Sequence, residues 1–431
     1  MSTALIDLDQ RMPILDGMRY FYSRTDACNY MPTMKITMKD PVELPFLQAA
    51  AEVAMARYRH TRLVVVRDEE KFYLADNRNK PKVHVWDGKR RVAGTEENNG
   101  HLTWIGVNGS EIIIDFFHGI ADLHGMLPFA ALMLQEYCHL CYGEAAVPEE
   151  DKFAPTEEVE KNESRDSFSF VDADLIPKGR RKPRPDAFQL TDDQMEAGYE
   201  CYAYSLKVDA QQFDDYMRRH GSSRTAVMAL FMNQVIAERN NLGDTPVISG
   251  VGADVRKIYG AETTLRDCTD MLPVWYHQEI RDLPWDEQLK RSRTMIVDAM
   301  EPEPRLTFAA DSIRNNQLLD KRIPTLEGKQ ALSLRANMTT LFFTYGLSNI
   351  GKVSFGDAAD AHIASVDTAM SANTFPIMME VLQYKNEYHI TYCTRLHNDP
   401  YLKKFHQKFL EEGIPCTCEK QDNYLETLAV F

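Results

Sequence analysis

The sequence predicts a mixed α/β (α+β) chain folded as two lobes, and three features point there. At 431 residues it exceeds one ordinary core and suits two, at roughly 100 to 200 residues per domain. Strand-like runs alternate with helical ones in both halves. Between about residues 148 and 190 the composition turns polar and proline-bearing, from PEEDKFAPTEEVEKNESRDS to PKGRRKPRPD, which reads as a junction. The expected division is 1–150 for a first lobe, 151–195 for a linker and 196–431 for a second lobe.

The elements follow in order. The Ala-rich stretch from Pro41 to Tyr58 carries Leu47, Ala51, Ala54 and Tyr58 at helical spacing and predicts an amphipathic helix. LVVVR (63–67) and KFYLA (71–75) flank the charged turn DEE, a hairpin signal, while VHVW (83–86) and LTWIGV (102–107) are further strands. EIIIDFF (111–117) is a strand that runs straight into His118, and after GIADLHG the stretch MLPFAALMLQEYCHLCY turns helical. In the second half CYAYSLK (201–207) alternates as a strand, helices follow over 210–219 and 223–239, and PVISGVGAD is again a strand. LFFTYGLSN (341–349), TFPIMMEVLQY (374–384) and EYHITYCT (387–394) read as strands. A last helix is expected from Asp399, with Pro400 at its first position and Gly413 at its stop.

Composition narrows the function. Sixty-four acids against forty-nine bases give a net charge of -15, which repels phosphate backbones and makes nucleic acid an unexpected partner. No run approaches the eighteen or more apolar residues of a bilayer span, so no transmembrane segment is expected. The first residues, MSTALIDLDQRMPILDG, hold Asp7, Asp9 and Asp16 and lack the basic start and apolar run of a secretory signal; a cytoplasmic protein is expected. Eight cysteines in such a chain read as reduced thiols. Cys138 and Cys141 bracket His139 as a CxxC. They sit in the apolar helical run with no second ligand pair at matching spacing, so no metal site is expected.

The informative segment is FFHGIADLHG, residues 116 to 125. A hydrophobic strand delivers His118 to its end, Gly119 permits a sharp turn, and Asp122 stands where it can cap the following helix. An imidazole, titrating near pH ~6.5, can take a proton from a hydroxyl or amine and hand it on. The plainer readings are a strand-end histidine satisfied by backbone and an ordinary helix cap. Residue types and spacing alone leave both readings open.

This segment resembles the HxxxD motif of the acyltransferase superfamily that includes chloramphenicol acetyltransferase, peptide-synthetase condensation domains and alcohol acetyltransferases. His118 and Asp122 fill its two fixed places. ARYRHTRLVVV is similar to the "ARYP" region of such enzymes, SGVGADVRK (249–257) to their "DxR" strand, and YGLSNIGKV (345–353) to the "SNxG" strand of the alcohol acetyltransferase branch. The chain departs from the pattern at Phe117, where a second histidine is common, and at Leu123, where glycine is common. It also lacks the DFGWG motif of plant members.

The resemblance implies two lobes, each a mixed sheet covered by helices, with a tunnel between them and His118 near its middle. It implies a CoA-dependent acyltransferase, alcohol O-acetyltransferase-like, with His118 as general base for an alcohol or amine acceptor that attacks the thioester, and no acyl-enzyme. No cofactor is expected to stay bound; acyl-CoA enters as cosubstrate beside a small-molecule acceptor, and a monomer suffices. Asp122, Gly119 and Arg256 are implied as structural members of the motif, Asp122 pairing with Arg256. Ser348, Asn349 and Thr269 are the candidates for lining the tunnel or donating to the oxyanion. An acyl carrier protein is the alternative donor, a catalytically silent binding member of the same fold the alternative role, and the basic run KGRRKPRP (178–185) a candidate contact for coenzyme A phosphates.

Overall fold

The computed structural model describes residues 6–15, 18–25, 29–179, 186–191, 201–339, 342–372, 375–421 and 426–431; residues 180–185 of the basic run lie outside the described residues. Two mixed sheets form the body. In spatial order, the first contains Ile363–Ala369, Thr33–Met38, Glu111–Phe116, Thr103–Asn108 and Val83–Val85. The second contains Thr269–Tyr276, Val247–Asp254, Tyr345–Val353, Ile377–Tyr384, Glu387–Thr394, Tyr202–Asp209 and Cys416–Lys420. Each mixes parallel and antiparallel pairs, with Val83–Val85 parallel to Thr103–Asn108 in one and Tyr345–Val353 parallel to both its neighbours in the other.

The hairpin expected around the DEE turn forms, pairing Leu63 with Asp76 and Arg67 with Phe72. The helix Leu44–Arg57 buries Leu47, Ala50, Ala51, Ala54 and Met55, and it packs with Leu123–Tyr142 into the core of the first sheet. Small alanines on the facing stripe let the two helices approach closely. A separate core lies on the second sheet, where Phe213, Tyr216, Phe231, Phe405 and Phe409 from three helices meet Leu347, Met379 and Val381 from its strands. Such residues stabilise by roughly 1.5 to 3 kcal/mol each when fully buried.

Several elements differ from expectation. The strand Ile363–Ala369 comes from the second half yet pairs with Thr33–Met38 at the edge of the first sheet, and Leu428–Ala429 pairs with Val92–Ala93. The acidic stretch after Pro148 is partly ordered: Thr156 caps a helix Glu157–Glu163 whose Glu160 and Glu163 form ion pairs with Arg62 and Arg57. Three helices, Trp285–Ala299, Pro302–Arg322 and Leu326–Thr339, fill a region without strong periodicity in the sequence. The last helix starts at Leu402, not Pro400, because the Asp399 carboxylate accepts from the amides of Tyr401 and Leu402 and turns the chain there first. Gly413 follows that helix with φ of 73°. Cys138 is fully buried in the helix Leu123–Tyr142, and burial pushes its thiol up to about 12, which disfavours the thiolate that a metal would need.

Candidate functional site at the end of the strand Glu111–Phe116

Ile112, Ile113, Ile114 and Phe116 anchor this central strand in the first core, so the residues after it have a fixed starting point. The His118 amide donates to the Tyr30 carbonyl at 2.8 Å, and a turn closes when the Ile120 amide donates to the Phe117 carbonyl at 2.9 Å. The His118 ring stacks on Tyr20, centroids 4.7 Å apart and 19° from parallel. Its Nδ1 lies 3.6 Å from Oδ1 of Asp267, a buried acid from the second half of the chain. That separation exceeds a hydrogen bond, yet it places a carboxylate where it can orient the ring. Gly119 answers to space more than to turning: a Cβ there would lie 2.5 Å from the Phe117 ring and 2.6 Å from the Phe21 ring.

Asp122 is the most heavily bonded acid of the segment. As the cap of Leu123–Tyr142, its Oδ1 accepts from the Gly125 amide at 2.8 Å and from Arg256 Nη2 at 2.8 Å. Its Oδ2 accepts from the Cys268 amide at 2.9 Å and the Thr269 hydroxyl at 3.3 Å. Burial alone would raise its pKa, but Arg256 and these donors outweigh it and hold the carboxyl down to about 2. Arg256 in turn donates to Asp254 and to the carbonyls of Thr264 and Arg266. It begins the short helix Arg256–Tyr259 and is not on the strand itself, which ends at Asp254.

The pair ties together two distant segments, and other bonds reinforce it. Arg266 donates to the Gly119 carbonyl at 3.1 Å, and the loop at Leu265 packs against the backbone of Gly125. A Cβ on Gly125 would sit 1.9 Å from the Leu265 carbonyl oxygen. Gly125→Ala should therefore force these backbones apart and cost ~1 to 3 kcal/mol; urea denaturation reads this, and a midpoint equal to wild type would show the approach to be slack. His60, fully buried, contacts the Gly125 carbonyl through Nε2 at 3.0 Å, and burial pulls its pKa down to about 3, so it is a neutral structural group.

His118, Asp122, His124, Thr269, Ser348, Asn349 and Glu380 share one cleft. The motif residues and the three second-half candidates are thus brought together. Their bonds differ. Thr269 leans on Asp122, as above. Asn349 Nδ2 donates to Thr225 Oγ1 at 3.0 Å while its Oδ1 accepts from the Gly351 amide, so its amide serves the irregularity in the strand Tyr345–Val353. Ser348 stands in register with Glu380 on the neighbouring strand, so their side chains lie side by side. His124 reaches across to the Ile350 carbonyl at 3.1 Å and so joins the capped helix to that strand. Asp267, Tyr20 and Glu380 belong to the site but carry no motif spacing; the only sequence signal was a lone glutamate within the apolar run PIMMEVLQY.

This architecture, two mixed sheets covered by helices, is a fold the chain shares with condensation domains and acetyltransferases of solved structure. Neither a family model nor a curated protein matches the sequence. Solved structures match over nearly the full length. The chain is similar to trichothecene 15-O-acetyltransferase TRI3 from Fusarium sporotrichioides, with TM-score 0.60, 11% identity, and 93% of this chain and 94% of that one covered. It is similar to F. sporotrichioides TRI101, solved with coenzyme A and T-2, with TM-score 0.59, 12% identity and 95% and 99% covered. It is also similar to the condensation domain from the monacolin K polyketide synthase MokA, with TM-score 0.58, 11% identity and 94% and 97% covered. At such identities the likeness is one of fold.

Proposed function

We propose that the chain is an acyltransferase that moves an acyl group from acyl-CoA to an alcohol or amine, with His118 as general base and no acyl-enzyme. The observation that carries this reading is the position of the His118 ring, stacked on Tyr20, beside Asp267 and opening into a cleft that both halves line. The acceptor gives its proton to His118 as it attacks the thioester carbonyl; the tetrahedral oxyanion collapses, and the departing thiolate recovers the proton. Ser348 is the hydroxyl in the cleft best suited to the oxyanion, an effect worth ~3 kcal/mol per donor, whereas the Thr269 proton is already given to Asp122. Asn349, held by Thr225 and Gly351, is the weaker choice.

In this reading 1–150 and 196–431 are the working lobes, 151–195 joins them, the strand Ile363–Ala369 crosses back between them, and the cleft is part of a tunnel for donor and acceptor. The protein acts in the cytoplasm as a monomer. Among the described residues no helix is long and apolar enough to cross a membrane. A diffusible donor is favoured because a structural neighbour is complexed with coenzyme A, while the condensation-domain neighbours keep a carrier-bound donor as the second reading.

Acyl-CoA should raise the melting temperature, since a ligand held only by the native state stabilises it by about 2.7 kcal/mol at one hundred times its Kd. Differential scanning fluorimetry with acetyl-CoA and longer acyl-CoA species checks this. No shift with any of them, together with turnover only on a pantetheinylated carrier, would replace the CoA reading with the carrier-dependent one.

A further inference from the structure

The cleft beside His118 holds one acidic side chain that the motif does not explain. Glu380 projects from the strand Ile377–Tyr384, whose alternate residues Ile377, Met379 and Val381 fill the second core while Glu380 faces the other way. It is 3% exposed, and its Oε2 has no hydrogen-bond partner. Across the sheet, Glu380 lies in register with Ser348 on one side and Thr391 on the other. Residues paired in this way point to one face. The Thr391 hydroxyl is also buried and without a partner, and it lines a second cleft on the far side of that strand pair. A buried carboxylate oxygen left unsatisfied in the His118 cleft is costly unless a ligand completes it.

We propose that Glu380 binds the ammonium group of the acceptor beside His118, so that this cleft acylates primary amines in preference to alcohols. The inference rests on the acyl-transfer reading above and specifies its acceptor. An ammonium brings three N–H donors, which match the two oxygens of the Glu380 carboxylate and the Ser348 hydroxyl oxygen in the same cleft, whereas a hydroxyl brings one. No lysine or arginine lines the cleft to neutralise Glu380. The charged and titratable groups around it are His118, His124, Asp122 and Asp254, and Arg256 is engaged by both aspartates. Burial pushes Glu380 up to about 8, only partly offset by the neighbouring Ser348 hydroxyl. A carboxyl raised in this way holds a proton more tightly than an ordinary glutamate, and a cation bound beside it favours release of that proton to solvent.

The protons then balance. The bound R–NH3+ passes one proton to the Glu380 carboxylate and becomes R–NH2. Its lone pair attacks the thioester carbonyl to form the C–N bond as His118 takes the second N–H proton. Collapse of the oxyanion breaks the C–S bond, and the thiolate accepts the proton from His118. Glu380 returns its proton to water, so amide, thiol and one proton leave the site. One imidazole alone cannot take both protons from an ammonium.

The test compares hexylamine with 1-hexanol as acceptors, using acyl-CoA and acyl-pantetheine donors, on wild type and Glu380→Gln. Wild type should favour the amine, and the variant should lose about tenfold or more in kcat/KM for hexylamine relative to its change for hexanol, so that the amine-to-alcohol preference collapses. Should the variant fail to fold, hexylamine titrated into wild type alone in two buffers of different ionisation enthalpy should release protons to solvent. Equal losses for both acceptors, or no proton release, overturns the assignment. Turnover of hexanol without hexylamine overturns it while acyl transfer stands; product from neither acceptor with any donor overturns acyl transfer and the amine assignment with it.

Discussion

Replacing His118 with alanine should abolish nearly all acyl transfer while the protein stays folded. General base catalysis contributes about 100 to 10,000-fold, so kcat/KM should fall by that range. The imidazole is 12% exposed and its main packing contact is the Tyr20 ring. Stacked aromatic pairs are worth ~0.5 to 1.5 kcal/mol, so the melting temperature should drop by a few degrees at most. The backbone around position 118 is held by its amide bond to Tyr30 and by the turn from Phe117 to Ile120, neither of which needs the side chain. A His118→Ala enzyme that transfers acyl groups at the wild-type rate would remove the base from the mechanism and leave the cleft as a binding site alone.

How much of this was legible follows from the range of the interactions involved. His118 and Asp122 could be read because a strand, a turn and a helix start impose local spacing: the three isoleucines before Phe116 mark the strand, and the acid before Leu123 marks the cap. Ser348 and Thr269 were legible only through resemblance, and the structure brings both to the cleft from strands 79 residues apart in sequence. Asp267 and Tyr20 were not legible at all. Their roles arise from contacts with a histidine well over 90 residues away, and nothing in their neighbours' periodicity marks them. The fold shows the same division. Helices with a buried alanine or phenylalanine stripe and strands with continuous apolar runs were readable. The edge strand Ile363–Ala369, IASVDTA, has a mixed pattern because Asp367 turns towards His389 and Ser205 and not to the apolar core, so its pairing with Thr33–Met38 was hidden.

The ion pair between Asp122 and Arg256 should govern stability more than chemistry. Both groups are buried, their atoms meet at 2.8 Å, and together they join the start of the helix Leu123–Tyr142 to the loop carrying Asp267. Removing one member of a buried pair costs ~3 to 5 kcal/mol because the other charge is stranded. The surrounding bonds set which loss is larger. Arg256→Ala leaves Asp122 still accepting from the Gly125 and Cys268 amides, whereas Asp122→Ala leaves Arg256 with Asp254 but orphans those two amides. Asp122→Ala should therefore be the more damaging change, and a double-mutant cycle should show coupling of ~1 to 3 kcal/mol, the double variant little worse than Asp122→Ala. The pH dependence has a definite sign. The folded pKa of Asp122 is depressed from 3.8 to about 2, so the stability it contributes is complete above the unfolded value and is lost as pH falls from about 4 towards 2. In Asp122→Asn that acid limb should flatten, and urea denaturation across pH 2 to 6 would read it. Strictly additive losses in the cycle, or an Asp122→Asn protein as stable as wild type yet inactive, would assign the aspartate to proton transfer instead. Because its four accepted bonds already occupy both carboxylate oxygens, a proton from substrate would have to displace Arg256, Gly125, Cys268 or Thr269 first.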